Sequence, residues 1–272
     1  HAGEGLGLIE RILEITDDAS PALRAKALVA AGELSFIQGD YVRGKLYLRQ
    51  AVALCRELGD DVNLAWALAF LSGNYTGFQS DIKEGMALCE EALALFRTQN
   101  DNPGIIRSLN LLGELSRLSG NYDQAGETYE ECLALCRQSD NKVREAYARA
   151  NLGLVAQNRG NYELAESHFK EALILFRSLN AKYSLALDLA GLSGTAAARG
   201  DPERAAQLLG ASDSLLEAMG LGQQPADQPE IDRFEAAVRE QLTEESFKAA
   251  WEKGHAMSLE QAIAYVLEEE SE

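Results

Sequence analysis

A short turn sequence recurs in register along this chain, and that recurrence fixes the chain as an array of stacked units. Gly39-Asp40-Tyr41, Ser80-Asp81-Ile82, Gly120-Asn121-Tyr122, Gly160-Asn161-Tyr162 and Gly200-Asp201-Pro202 follow one another at spacings of 41, 40, 40 and 40 residues. A second glycine lies seven residues before each of the first four, at Gly32, Gly73, Gly113 and Gly153, with Ser193 taking that place in the fifth. A fixed period in this range signals units that cannot bury their apolar faces singly and do so by stacking. Such arrays present surfaces to partners and seldom catalyse.

Each unit reads as two helices. In the fourth, the stretch from Lys142 to Arg159 carries Ala146, Ala150, Leu152, Gly153 and Val155. Gly160-Asn161 then turns the chain, and Tyr162 to Leu179 carries Leu164, Ala165, Phe169, Ala172, Leu173, Leu175 and Phe176. Spacings of three and four mark amphipathic helices. The first glycine of a unit falls mid-helix, where it costs about 1 kcal/mol against alanine, so close approach of the second helix is the expected compensation. The second glycine is expected to end the helix in the left-handed conformation, with the following Asn or Asp capping the next one. Ser20-Pro21, Asn102-Pro103 and Asp201-Pro202 each place a capping side chain before a helix-opening proline.

Pro225 and Pro229 sit in or beside a Gly/Gln/Pro stretch from Gly220 to Gln228 that interrupts the repeat. Beyond it the pattern predicts a helix from Glu230 to Gln241, another from Glu244 to Lys253, and a last one opened by the capping box Ser258-Leu259-Glu260-Gln261. An array needs an element over its last apolar face, and these helices are the expected cap.

Of the 272 residues, 46% are hydrophobic and 25% charged, enough for a sizeable core. The net charge of −18 repels phosphate backbones and anionic lipid, so direct nucleic-acid and membrane partners are not expected. No stretch reaches the roughly 18 apolar residues of a span, and no basic-then-apolar leader opens the chain, so the cytoplasm is the expected location. His1-Ala2-Gly3 lacks an initiating Met and breaks into a helical pattern, which predicts that the chain is part of a larger polypeptide. Cys55, Cys89, Cys132 and Cys136 fall within helices at apolar positions and read as core filler. A metal site built on Cys132, Cys136 and His168 would lack a fourth ligand, and no CxxC pair exists; no metal or cofactor is expected.

Two-helix units with Gly-[Asn/Asp]-Tyr at the turn and alanine at Ala125, Ala165 and Ala205 resemble tetratricopeptide repeats over about residues 18–219. Departures are Ser80 for Gly, and Gly44 and Gly85 for the Ala. The resemblance implies an all-α, right-handed superhelix of helix pairs with about a 40-residue period and C-terminal capping helices. It divides the chain into a linker plus the second helix of a truncated repeat (1–17), five repeats (18–59, 60–100, 101–140, 141–180, 181–219) and a linker with a helical cap and acidic tail (220–272). The distal end, Pro202-Glu203-Arg204-Ala205-Ala206-Gln207-Leu208-Leu209-Gly210-Ala211 with Phe247-Lys248-Ala249-Ala250-Trp251-Glu252-Lys253-Gly254, is similar to the end of LuxR-type and AfsR-like bacterial signal-transduction ATPases. In that family an NTPase switch and a DNA-binding or kinase module lie elsewhere, and the helical repeats serve as a sensor or interaction arm.

No GxxxxGK[ST], HExxH or GxSxG motif occurs, and no Ser or Cys lies at readable spacing from a histidine, so the chain is not expected to be an enzyme. The resemblance implies a concave groove lined by the first helices of the units. Carried onto this sequence, it points Asn74, then Arg107, Asn110, Glu114 and Arg117, then Tyr147, Leu154 and Gln157 into that groove. The four in the third unit share one helical stripe, able to hold a peptide backbone through Asn and a carboxylate through Arg, with an ordinary solvated face as the bland alternative. Lys26, Val29, Glu33, Phe36, Phe70 and Phe78 form the inner face of the first two units, where aromatics make either an apolar pocket or inter-repeat core. Leu187, Ala190, Gly194 and Ala197 leave the fifth unit nearly apolar on that face, with Trp251 or neighbouring cap residues expected to cover it. The expected function is a non-catalytic interaction or effector-sensing domain of a larger bacterial regulator, with a protein or peptide in the groove. A small-molecule inducer sensor and a constitutive scaffold or oligomerisation module are the alternatives.

Overall fold

A computed structural model describes residues 2–15, 20–76, 81–220 and 228–268, with the side chains of the first helix described from residue 4 to residue 13. His1, Phe78, Ser80, the linker residues 221–227 with Pro225, and the tail beyond Glu268 lie outside the described residues. Among the described residues the chain is all helix. In order these are α1 (Ala2–Ile15), α2 (Pro21–Ile37), α3 (Tyr41–Leu58), α4 (Asp61–Gly73), α5 (Ile82–Gln99), α6 (Asn102–Leu118) and α7 (Tyr122–Gln138). They continue as α8 (Lys142–Asn158), α9 (Tyr162–Ser178), α10 (Lys182–Ala198), α11 (Pro202–Ala218), α12 (Gln228–Arg239), α13 (Glu244–His255) and α14 (Leu259–Leu267). The helix pairs expected from the period are the fold observed.

Turn chemistry repeats twice per period. Gly39, Gly120, Gly160 and Gly200 are left-handed, with φ between +75° and +82°, where the first helix of a pair ends. A second left-handed position closes the second helix at Gly59, Asn100, Asp140, Asn180 and Gly220. Asn and Asp tolerate this conformation, so three of these five turns carry no glycine to mark them. Asp40, Asp60, Asp101, Asn141, Asn161, Asp201 and Thr243 each accept a backbone N–H at the next helix start. The cap of α6 is thus Asp101 and not Asn102, and Ser20 makes no side-chain cap bond although Pro21 opens α2. Ser258 and Gln261 form the expected capping box.

Three of the glycines expected mid-helix receive the side chain sixteen positions later, whereas Gly73 is the last residue of α4. A Cβ on Gly32, Gly113 or Gly153 would fall 2.3, 2.6 or 2.8 Å from Leu48, Tyr129 or Phe169. The residue at that register after Gly73 is the small Cys89, and a Cβ on Gly73 would meet nothing nearer than 3.7 Å.

Packing divides the chain into two compact units, residues 1–135 and 136–272. In the first, Leu48, Leu68, Tyr75, Phe96, Leu109, Leu115 and Tyr129 are wholly buried, and Trp66 stands edge-on to Phe96. Exposed ion pairs Arg49–Glu84, Arg56–Glu91 and Arg97–Glu131 join successive second helices at 3.2, 2.8 and 2.6 Å. Each is worth under about 1 kcal/mol, so the apolar side chains carry the stability. All four cysteines are buried, and burial pushes the Cys55 and Cys89 thiols up to about 11 and about 12.

In the second unit, Phe169, Leu173, Phe176, Leu185 and Leu189 form a core that Ala262, Ile263 and Val266 of α14 complete. An ionic network centred on the buried Glu145 and Arg149 lies at its start, its outer members half exposed. Glu145 pairs with Arg137, Lys142 and Arg149 at 3.1–3.3 Å, and Arg149 reaches Glu171. Burial raises the Glu145 carboxyl, but its cations outweigh that and hold it below the ordinary glutamate range. α13 docks on α11 at backbone contact: a Cβ on Gly210 would stand 2.1 Å from the Trp251 carbonyl oxygen, and one on Gly254 1.8 Å from that of Gln207. The Trp251 indole stacks on His255 and donates to Asp213 at 3.0 Å, and His255 meets Glu217 at 3.0 Å.

Candidate functional site

Arg107, Asn110, Glu114 and Arg117 recur at three, four and three along α6 and lie together as one half-buried stripe. Its floor is aromatic. The Arg107 guanidinium covers the Phe70 ring of α4 at 4.3 Å from the centroid, and Phe70 in turn neighbours Trp66. A cation over a ring is favourable by about 0.5–2 kcal/mol and holds the guanidinium flat. Under the other end lies Tyr129, whose phenol is pushed up first by burial and then by Glu114, with Arg117 opposing. The stripe therefore offers two cations, an amide and a carboxylate on a floor of packed rings, a surface able to hold polar backbone and a charged end group.

The other expected residues separate from it. Asn74 is 1% exposed: α4 ends a turn earlier than its counterparts, and the chain turns Asn74 and Tyr75 inward. The Asn74 amide donates to the Phe70 carbonyl at 2.9 Å, and its oxygen stands 3.0 Å from where a Cβ on Gly44 would be. Tyr75 fills the space over Gly85 in the same way, at 2.9 Å. Those two contacts account for glycine at both positions where the repeat pattern has alanine, and they remove Asn74 from any ligand-facing surface.

Gln157 is also interior, 8% exposed, with its Nε2 donating to the Gly191 carbonyl at 3.2 Å and to Thr195 Oγ1 at 3.1 Å. Its register position is that of Arg117 one period earlier, but glycine and a threonine hydroxyl on α10 draw it in. Tyr147 is 40% exposed, stands edge-on to Phe176, and shares a hydrogen bond with Ser184 at 2.9 Å.

Leu154, Leu187 and Ala190 are covered by Ile231 and Phe234 of α12, and Ala197 packs in a cluster with Val238. The apolar face of the fifth repeat is thus covered chiefly by α12, whereas Trp251 is directed to Asp213 on α11. Of the earlier inner-face positions, Val29 is buried, Phe36 stands edge-on to Tyr41, and Lys26 is exposed. Neither the motifs nor the periodicity pointed to a cavity of about 730 Å³ along α3, lined by Tyr41, Val42, Lys45, Leu46, Arg49 and Tyr75 among others. Its cations are already engaged, Lys45 over the Tyr75 ring at 3.8 Å, Arg49 with Glu84 and Arg43 with Glu10.

Family models of the tetratricopeptide repeat match residues 73–138 and 146–180. Over those residues the chain carries tetratricopeptide repeats. Solved structures of the same helix-pair fold include BtubC from P. vanneervenii, at 18% identity and TM-score 0.63, covering 82% of this chain and 91% of that one. A signal transduction ATPase with numerous domains and a tetratricopeptide repeat sensor, from Pyrococcus horikoshii, matches at 17% identity and TM-score 0.65 over 97% of this chain and 41% of its own. A Rap protein complexed with Competence and Sporulation Factor matches at 14% identity and TM-score 0.64, over 96% and 81%. At these identities the likeness establishes the fold. No curated protein matches the sequence. Among the described residues of this tetratricopeptide array, no group of three or more His, Cys, Asp and Glu is placed to hold a metal, and no helix is long and apolar enough to cross a membrane.

Proposed function

We propose that this tetratricopeptide array is a non-catalytic interaction or effector-sensing domain of a larger bacterial signalling or transcriptional regulator, working in the cytoplasm. Its ligand is a peptide or protein segment held along the inner face of α6. The observation that carries this reading is the stripe Arg107, Asn110, Glu114 and Arg117 over the Phe70 ring. Arg107 and Arg117 suit a carboxylate or backbone carbonyls, Asn110 both edges of a peptide group, and Glu114 a basic side chain. Two solved relatives in fold support it: the Rap protein carries Competence and Sporulation Factor, and NprR is solved with its cognate peptide NprX. The Pyrococcus ATPase, whose repeats are described as a sensor, supports the place in a larger switch.

The test is selection of a random peptide display library against the wild-type chain, followed by fluorescence anisotropy of the selected peptides. Arg107→Ala/Asn110→Ala is expected to weaken binding at least about tenfold, which is about 1.4 kcal/mol, with circular dichroism unchanged and only a small fall in melting temperature from the lost Arg107–Phe70 contact. Selected peptides that bind the double variant as tightly as wild type would remove the stripe from the site. A library that yields no saturable binder would end the peptide reading.

A further inference from the structure

The residues at the register of the α6 stripe two periods later are Leu187, Ala190, Gly194 and Ala197, and a helix lies along them. α12 places Ile231, Phe234 and Val238, at i, i+3 and i+7, on one face. Ile231 and Phe234 are buried against Ala190, with Leu187 and Leu154 beside them, and Val238 joins the cluster of Ala197. The seat for the ring is built into the sequence of α10. A Cβ on Gly194 would fall 2.3 Å from Phe234 Cδ1 and 2.7 Å from the Gln157 amide, so only glycine admits the ring there. One polar contact adds direction, Arg233 donating to Asn158 Oδ1 on α8 at 2.9 Å.

What fixes α12 differs in kind from what fixes its neighbour. α13 meets α11 backbone to backbone at Gly210 and Gly254 and adds the Trp251–Asp213 and His255–Glu217 bonds. α12 is held through side chains: three apolar anchors, of which Val238 also packs with Phe247 and Ala250 of α13, and the Arg233 contact. Arg239 pairs with Glu244 at 2.8 Å and lies over the Phe247 ring at 3.8 Å, and Gln241 beyond the helix end donates to the Ala197 carbonyl at 3.2 Å. Apolar anchors at i, i+3 and i+7 laid on an apolar seat are the way an amphipathic helix is recognised in a groove.

We propose that the inner face of α8 and α10 is a docking site for an amphipathic helix, filled by the chain's own α12, and that a partner helix with apolar anchors at the same spacing displaces it. The partner's chemistry is read from the resident: an aliphatic residue, an aromatic three positions on that enters the Gly194 seat, a small β-branched residue four positions after that, and a cation to meet Asn158. Site and occupant both belong to the unit of residues 136–272, and the α6 stripe to that of residues 1–135.

A fluorescein-labelled peptide of residues 228–239, titrated against the full chain, tests this. Ile231→Ala/Phe234→Ala frees the seat without altering it, and is expected to bind the peptide at least tenfold more tightly than wild type. The same peptide carrying both alanines is expected not to bind. Equal affinity for wild type and variant, or no saturable binding to either, overturns the proposal. Hydrogen exchange on the wild-type chain gives an answer even where the variant fails to fold. The α12 amides are expected to exchange at least tenfold faster than those of α11 and α13 through a local opening. Exchange of all three helices together would make α12 a fixed part of the cap and end the proposal.

Discussion

Tyr129 lies flat against the backbone of Gly113, its Cε1 only 2.6 Å from where a Cβ would stand. The two residues belong to the two helices of one repeat, and the pairing recurs as Gly153 with Phe169. Gly113→Ala and Gly153→Ala are expected to destabilise by about 1–3 kcal/mol through overpacking. Gly73→Ala, at the last residue of α4 where an added Cβ would meet only Leu111 and Phe36 at ordinary contact distance, is expected to leave stability unchanged or raise it by less than about 1 kcal/mol. Urea unfolding of the three variants separates the cases, and a Gly73→Ala loss as large as that of Gly113→Ala would show that the large side chain is not what demands glycine.

The cap depends on a crossing that admits no side chain. Because the atoms facing Gly210 and Gly254 are backbone carbonyls, no rotamer change relieves an added methyl. Gly254→Ala is expected to cost about 3 kcal/mol or more and to break the indole bond to Asp213, shifting Trp251 emission to the red. Unchanged emission and melting would mean that α11 and α13 separate freely at that crossing.

Asp188 sits on α10 at 2% exposure, neither carboxyl oxygen has a hydrogen-bond partner, and burial pushes its pKa well up. The folded chain holds this proton more tightly than the unfolded chain, so the group favours folding in acid. Stability falls as pH rises from the unfolded value near ~3.9 toward the folded one and is flat above it. Asp188→Asn removes the charge that must be desolvated, and is expected to stabilise at pH 7 by about 1 kcal/mol or more, with the gain vanishing in acid. Unfolding by urea at several pH values checks this, and a gain equal at pH 4 and pH 8 would contradict it.

Glu145 works with the opposite sign. Its folded pKa lies below the ordinary value, so its contribution is present above the unfolded value near ~4.3 and is lost as pH falls through the folded one. Glu145→Gln leaves the buried Arg149 with Glu171 as its remaining carboxylate, and is expected to cost about 2–4 kcal/mol at pH 7. That cost should shrink on acidification. A cost independent of pH would assign the loss to packing.

The period alone specified helix pairs, turns and the glycine seats, because each depends on residues within one unit. Glycine at left-handed turns, acids at helix starts and small residues under large ones are local demands, and they recur wherever the local geometry does. The sequence also grouped Arg107, Asn110, Glu114 and Arg117, since three- and four-residue spacings on a helix suffice to place side chains on one face. What it could not decide was which inner-face positions stay accessible. Asn74 turned inward because α4 stops early and Gly44 leaves room for it, and Gln157 because Gly191 and Thr195 on another helix offered partners. Phe234 covers Gly194 from a helix that follows the last repeat, where no periodicity reaches. Helical faces follow from spacing along the chain, whereas exposure is set by whatever non-local surface comes to rest on them, and only the tertiary structure brings those surfaces together.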